Sequence, residues 1–197
     1  MGTPRTAKLW IGLVLAIGLV AGAAGSAGAS DFLVRDGNFE YPKLPAGGAG
    51  SFSKGDTFGA WSVTRGTAQL FTAVPGQAKP RQGAQFLALN GLPTGNGAKI
   101  CQNLPGLIEG GDYTLSLAAA SLNPISSSTD YSTFDVRIND IRIGFLDLNA
   151  ALPAKWTHAS FGFGANLPHE KLCIEGIGSS TFTFPLIDAL SIKRVES

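Results

Sequence analysis

Arg137 and Asn139 fall on one phase of the run Phe134-Asp135-Val136-Arg137-Ile138-Asn139, and Arg142 follows on the next apolar stretch after Asn139-Asp140. In an extended chain, alternate residues share a face, so these polar groups stand away from the apolar phase. A guanidinium offers five donors and an amide offers both donors and an acceptor, the set that sugar hydroxyls require. An aromatic ring nearby would cover the apolar face of a sugar, and Tyr131 is the aromatic expected to do so. Gln85 and Arg81 complete the candidate carbohydrate contacts; a solvated sheet face is the competing account of all six. Trp61 and Trp156 are read as core aromatics.

Catalytic arrangements are not apparent. The chain has no Gly-x-Ser-x-Gly elbow, and neither cysteine sits in a nucleophile motif. His158 and His169 lack metal-ligand spacing, and His158 alternates out of phase with Ala159 and Phe161, facing solvent. Gly95-x-Gly97-Ala98-Lys99 lacks the Ser or Thr that would follow in a phosphate loop and reads as a turn. The 14 acidic residues are scattered, with no cluster pointing to the paired carboxylates of a glycosidase.

The elements that must position these residues are strands. After residue 30 no stretch keeps a helical period, whereas period-two alternation recurs, broken about every ten residues by Gly, Pro, Asn or Asp. Tyr113–Leu117, Phe134–Asn139, Ile141–Phe145, Trp156–Phe163, Leu172–Glu175 and Leu186–Ile192 read as strands. So do Trp61–Phe71, Gln85–Asn90 and Lys99–Leu104. Nine or ten short strands at that spacing predict an all-β, two-sheet antiparallel sandwich. Long loops are expected at Pro42–Asp56, Val74–Gly83 and Ser121–Asp130, and Asn96-Gly97 marks a tight turn.

The N-terminus reads as an export signal. Arg5 and Lys8 precede the apolar stretch Leu9–Ala23, and Ala27-Gly28-Ala29 supplies a small-x-small cleavage pattern. An uncleaved anchor is the alternative, but a span needs about 20 apolar residues. The expected division is a signal peptide over residues 1–29 and one domain over 30–197, a secreted, extracellular or cell-surface product without stable membrane insertion. The chain carries 15 basic and 14 acidic residues. Removing residues 1–29 takes two bases and no acid, leaving 13 against 14, a balance that argues against nucleic acid as a partner. Cys101 and Cys173 are the two cysteines. Both fall out of phase with their apolar neighbours, as partners on one sheet face would, so in an oxidising compartment a disulfide is expected. Two reduced cysteines are the alternative.

Several segments, taken in order, resemble a known module. Asp36-Gly37-Asn38-Phe39-Glu40, Gly59-Ala60-Trp61-Ser62-Val63, Gln85 to Gly91, Ile100-Cys101-Gln102-Asn103-Leu104, Gly111 to Leu117 and Pro185 to Ile192 are similar to the strands of galactose-binding-like domains. The order resembles that of the domain-of-unknown-function 642 family and the bacterial choice-of-anchor C proteins, over residues 31–195. That resemblance implies a jelly-roll fold and non-catalytic binding of a cell-wall or extracellular polysaccharide. It also implies a structural calcium ion between the first and last strands, with Glu40 and Asp188 as side-chain ligands and loop carbonyls supplying the rest. A structural or adhesive protein binding another protein is the alternative function, and an exported glycan-degrading enzyme a more remote one.

Overall fold

The computed structural model describes residues 33–196 except 75, 77, 90–96, 123–130, 150–152 and 178–183. The expected signal segment lies outside these residues, as do Asn96 and the end of the Ser121–Asp130 loop. No helix occurs among the described residues, and none is long and apolar enough to cross a membrane.

Among the described residues, twelve strands form two sheets. They are β1 (Ala49–Ser53), β2 (Thr57–Phe58), β3 (Trp61–Arg65), β4 (Thr67–Phe71), β5 (Phe86–Ala88) and β6 (Lys99–Pro105). The rest are β7 (Asp112–Leu122), β8 (Tyr131–Ile138), β9 (Ile141–Asn149), β10 (Thr157–Gly164), β11 (His169–Gly176) and β12 (Phe184–Arg194). Sheet 1 runs β1-β4-β5-β12-β7-β10 and sheet 2 runs β2-β3-β6-β11-β8-β9, all neighbours antiparallel. The protein is therefore an all-β, two-sheet antiparallel sandwich of the jelly-roll kind.

Alternation explains the layers. Ile100 and Leu104 of β6, Leu172 and Ile174 of β11, and Phe134, Val136 and Ile138 of β8 turn into the space between the sheets. There they meet Leu115 and Leu117 of β7 and Ile187 of β12, all buried. Trp61 is fully buried with its ring 5.6 Å from that of Phe39, and its Nε1 donates to Asp36 O at 3.1 Å. Sheet 1 is covered on its outer face as well. Phe86, Ala88, Ala120, Leu122 and Leu186 form a second apolar cluster there, with Phe71, Val74, Trp156 and Phe184 packed against it.

Two departures from the sequence reading bear on the architecture. Trp61–Phe71 is not one strand. Gly66, at φ +66, turns the chain so that β3 joins sheet 2 and β4 joins sheet 1. A Cβ there would sit 3.1 Å from Ala98 Cα, so the corner needs glycine for space as well as for φ. The segment 42–56, expected as loop, contributes β1 to the edge of sheet 1. Its alternating Ser51, Phe52 and Ser53 are pinned in register against Gln69, Ala68 and Thr67.

Candidate functional site

On the outer face of sheet 2, neighbouring residues in register form two rows. One runs Ser62, Cys101, Cys173, Arg137, Arg142; the other runs Lys99, Glu175, Asp135, Phe145. Cys101 and Cys173 are direct cross-strand partners, Cα atoms 4.2 Å apart, and are joined as the expected disulfide. Asp135, buried, accepts from Arg137 Nη2 at 3.0 Å and Arg142 Nε at 2.8 Å through Oδ2. Glu175 faces Arg65 at 2.7 Å, Arg137 at 3.8 Å and Lys99 at 3.9 Å, and Lys99 also reaches Asp140. Lys99 accordingly holds the Asp140 carboxyl pKa below the usual carboxylate range. Arg142 also lies over the exposed Phe145 ring at 5.9 Å. The six ion pairs among the described residues all belong to this face.

Arg137 and Arg142 thus come together as expected, but they are spent largely on each other's counter-ions. Asn139 does not share their face. It opens the β8–β9 turn with φ +48, followed by Asp140 at φ +65, the pair of positive values that a tight two-residue hairpin requires. Its Oδ1 accepts from Lys171 N at 2.8 Å. Tyr131 pairs with Asn149, seven residues before Ile138, or about 20 Å along the strand. Gln85 is on the other sheet and buried. Its Oε1 accepts from Leu44 N at 2.6 Å, while its Nε2 donates to Phe39 O at 2.6 Å and Pro42 O at 3.1 Å. Asn139 and Gln85 therefore serve the backbone: alternation set Asn139 off the apolar phase and Gln85 on the phase of Leu87 and Leu89, without revealing that main-chain groups would claim either.

Arg81 leads to a different place. Across the outer face of sheet 1, the described residues of 72–85 and 153–156 enclose a groove of about 460 Å³ lined by Val74, Lys79, Pro80, Arg81, Pro153, Ala154 and Trp156 among others. Trp156, expected in the core, is half-buried instead. Its Nε1 donates to Lys79 O at 2.9 Å, and the Phe86 ring meets it nearly edge-on, centroids 5.9 Å apart. The indole is thereby fixed in orientation with part of its surface open to the groove. A Val74–Ala78 bridge, with N–H to O bonds of 2.9 and 3.0 Å in both directions, stiffens one wall. At the rim, Arg81 Nη2 is 3.2 Å from His158 Nε2. A guanidinium has no acceptor, so Arg81 is the donor in this contact and the imidazole the acceptor.

Two acids hold the groove loop from beneath. Asp188 Oδ2 accepts from Arg81 N at 2.7 Å and Gln82 N at 2.9 Å, and its Oδ1 from Ala189 N at 2.6 Å. Glu40 Oε1 accepts from Ala84 N at 2.8 Å and Gln85 N at 3.1 Å. Burial, opposed by those N–H groups, pushes the Asp188 carboxyl up to about 6. Asp36, whose Oδ1 accepts from Glu40 N at 2.8 Å while Oδ2 is buried without a partner, is raised likewise to about 6.

Calcium requires six to eight oxygens. Glu40 and Asp188 do converge on residues 81–85, but what they meet there is N–H groups, whose partial positive charge fills the role a cation would take. No group of three or more His, Cys, Asp and Glu side chains among the described residues is placed to hold a metal. The donor set as arranged fits two carboxylates that anchor a loop and does not fit a calcium cage.

No protein-family model matches the sequence, and no curated protein matches it significantly. Solved structures do match. The carbohydrate-binding module TmCBM61, determined in complex with β-1,4-galactotriose, aligns with a TM-score of 0.52 at 10% identity, covering 83% of this chain and 98% of that one. The K1 cleaved adhesin domain of Lys-gingipain from Porphyromonas gingivalis W83 aligns with a TM-score of 0.52 at 12% identity, covering 76% and 100%. The likeness is one of fold. At such identities it carries over no residue, and the groove and the charged face stand on their own geometry.

Proposed function

We propose that this chain is an exported, non-catalytic glycan-binding module whose ligand lies in the Trp156 groove. The observation that carries the reading is an indole fixed by its own Nε1–Lys79 O bond, part-open, framed by Pro80 and Pro153 and bordered by Arg81 and His158. A rigid aromatic beside hydrogen-bonding groups is the pattern that accepts a sugar ring. The fold shared with a galactotriose-binding module supports it by analogy only. The groove-lining residues include no carboxylate, whereas glycoside hydrolysis draws on two; this supports binding without turnover. The disulfide suits an oxidising compartment, in keeping with the signal-like N-terminus and with the motif resemblance to the domain-of-unknown-function 642 and choice-of-anchor C proteins.

The test is a glycan array with insoluble-polysaccharide pull-down, run on the mature protein and on Trp156→Ala. Loss of one stacked aromatic is expected to weaken binding about tenfold or more. Binding that survives the substitution in a folded variant would move the site elsewhere. A second reading, adhesion to a protein, is favoured by Ile141 and Phe145, which project from the β8–β9 hairpin at 67% and 55% exposure. Aromatic anchors within a charged rim suit protein interfaces.

A further inference from the structure

We infer that the groove takes an acidic glycan, one whose sugar carries a carboxylate; this rests on the glycan-binding reading above. The described residues of the two segments around the groove, 72–85 and 153–158, include Lys79, Arg81, Lys155 and His158 and not one Asp or Glu, in a chain that has 14 acids and is otherwise near charge balance. Lys79 and Arg81 line the groove itself. Neither takes part in an ion pair among the described residues, whereas Arg65, Lys99, Arg137 and Arg142 are all paired on the opposite face.

The nearest carboxylates do not supply the missing counter-charge. Asp188 is fully buried beneath the loop, and both Asp188 and Glu40 accept main-chain N–H groups of the loop. Arg81 gives one bond to His158 and keeps further N–H groups in a planar fork, the shape that matches a carboxylate. A uronate places its carboxylate at the edge of the ring. Its C–H face can therefore rest on Trp156 while the anion meets Arg81 and Lys79 at the rim. A neutral sugar would leave both cations unmatched.

The proposal can be tested with polygalacturonate, alginate and glucuronan, each compared with its methyl-esterified form. Esterification keeps the ring and removes the charge. Calorimetry with the mature protein is expected to give at least about tenfold tighter binding for one of the free acids, the scale of a charge-assisted hydrogen bond. That preference should shrink between about 50 and 300 mM salt, over which the screening length falls from about 14 to about 6 Å. Lys79→Ala/Arg81→Ala should weaken binding of the free acid by a clearly larger factor than binding of the ester, so that the preference is lost. The loop's anchors are main-chain atoms, so the variant keeps them, and a thermal melt checks the fold. Equal binding of acid and ester, or acid binding indifferent to the double variant, overturns the inference. Neutral-glycan binding lost in Trp156→Ala, with no uronate preference, overturns the acidic specificity alone and leaves the glycan site standing. Polyglutamate or dextran sulfate binding as well as uronate, with Trp156→Ala without effect, overturns both readings in favour of a general anion patch.

Discussion

Replacing Gln85 with alanine removes three hydrogen bonds at once from a site closed to water. Leu44 N loses its acceptor, and Phe39 O and Pro42 O lose their donor. Each bond contributes about 0.5–1.5 kcal/mol net, so about 3 kcal/mol is expected from the three. For a domain of this size that corresponds to a fall in Tm of about 6–12 °C. Urea denaturation followed by tryptophan fluorescence reads the loss, because Trp61 packs against Phe39 in the same segment. Gln85→Glu supplies the sign of the argument. Its carboxylate can still accept from Leu44 N but sets an oxygen against two carbonyls, so near neutral pH it should be at least as damaging as alanine. Acid should relieve it in part, since a protonated carboxyl again donates to Phe39 O. A Gln85→Ala protein within about 0.5 kcal/mol of the parent, the range of an unremarkable surface change, would refute the clamp and return Gln85 to the pool of ligand contacts.

Serine at both Cys101 and Cys173 opens a loop of 72 residues and is expected to cost about 4 kcal/mol in the chain-entropy model, read as a lower urea midpoint equal to that of the parent under reductant. Asp36 and Asp188 are raised from 3.8 to about 6, so between about pH 4 and 6 the folded state holds protons that the unfolded chain has released. Stability should therefore rise as pH falls from 7 toward 5, by an amount on the order of 2 kcal/mol per group at most, and Asp36→Asn should flatten the profile; a midpoint that falls over that range would contradict it. Millimolar calcium is expected to leave the midpoint unmoved, because the Glu40 and Asp188 oxygens already accept loop N–H groups. A rise abolished by Glu40→Gln would show that residues 81–85 turn carbonyls inward around the ion.

Where side-chain phase alone decides, the sequence was sufficient. Cys101 and Cys173 both run out of phase with apolar neighbours, and they prove to be direct partners across β6 and β11. The two-sheet layering follows from the same alternation, although twelve strands form where nine or ten were expected. What alternation does not encode is which backbone groups lack partners. Asn139 looks like an outward polar residue in the sequence and Gln85 shares the phase of Leu87 and Leu89, yet each is held by main-chain groups more than 30 residues away. Trp156 failed for a related reason. Sheet 1 is apolar on both faces, so an aromatic beginning β10 can cover the outer cluster and still present part of itself to a groove. The β3–β4 corner does leave a trace that reading Trp61–Phe71 as one strand passes over: buried Trp61 and Val63 keep one phase, buried Ala68 and Leu70 keep the other, and the change falls at Gly66.

The position of β12 sets the order of events when the protein is made. It follows every other strand in the chain, yet it lies between β5 and β7 at the centre of sheet 1. Until residues 184–194 have emerged, β5 and β7 each present an unsatisfied edge, and Ile187 and Leu190 are missing from the core. A nascent chain therefore cannot close the sandwich part-way through synthesis. A polypeptide that stays open until its last strand arrives is one that a narrow translocation channel can still accept.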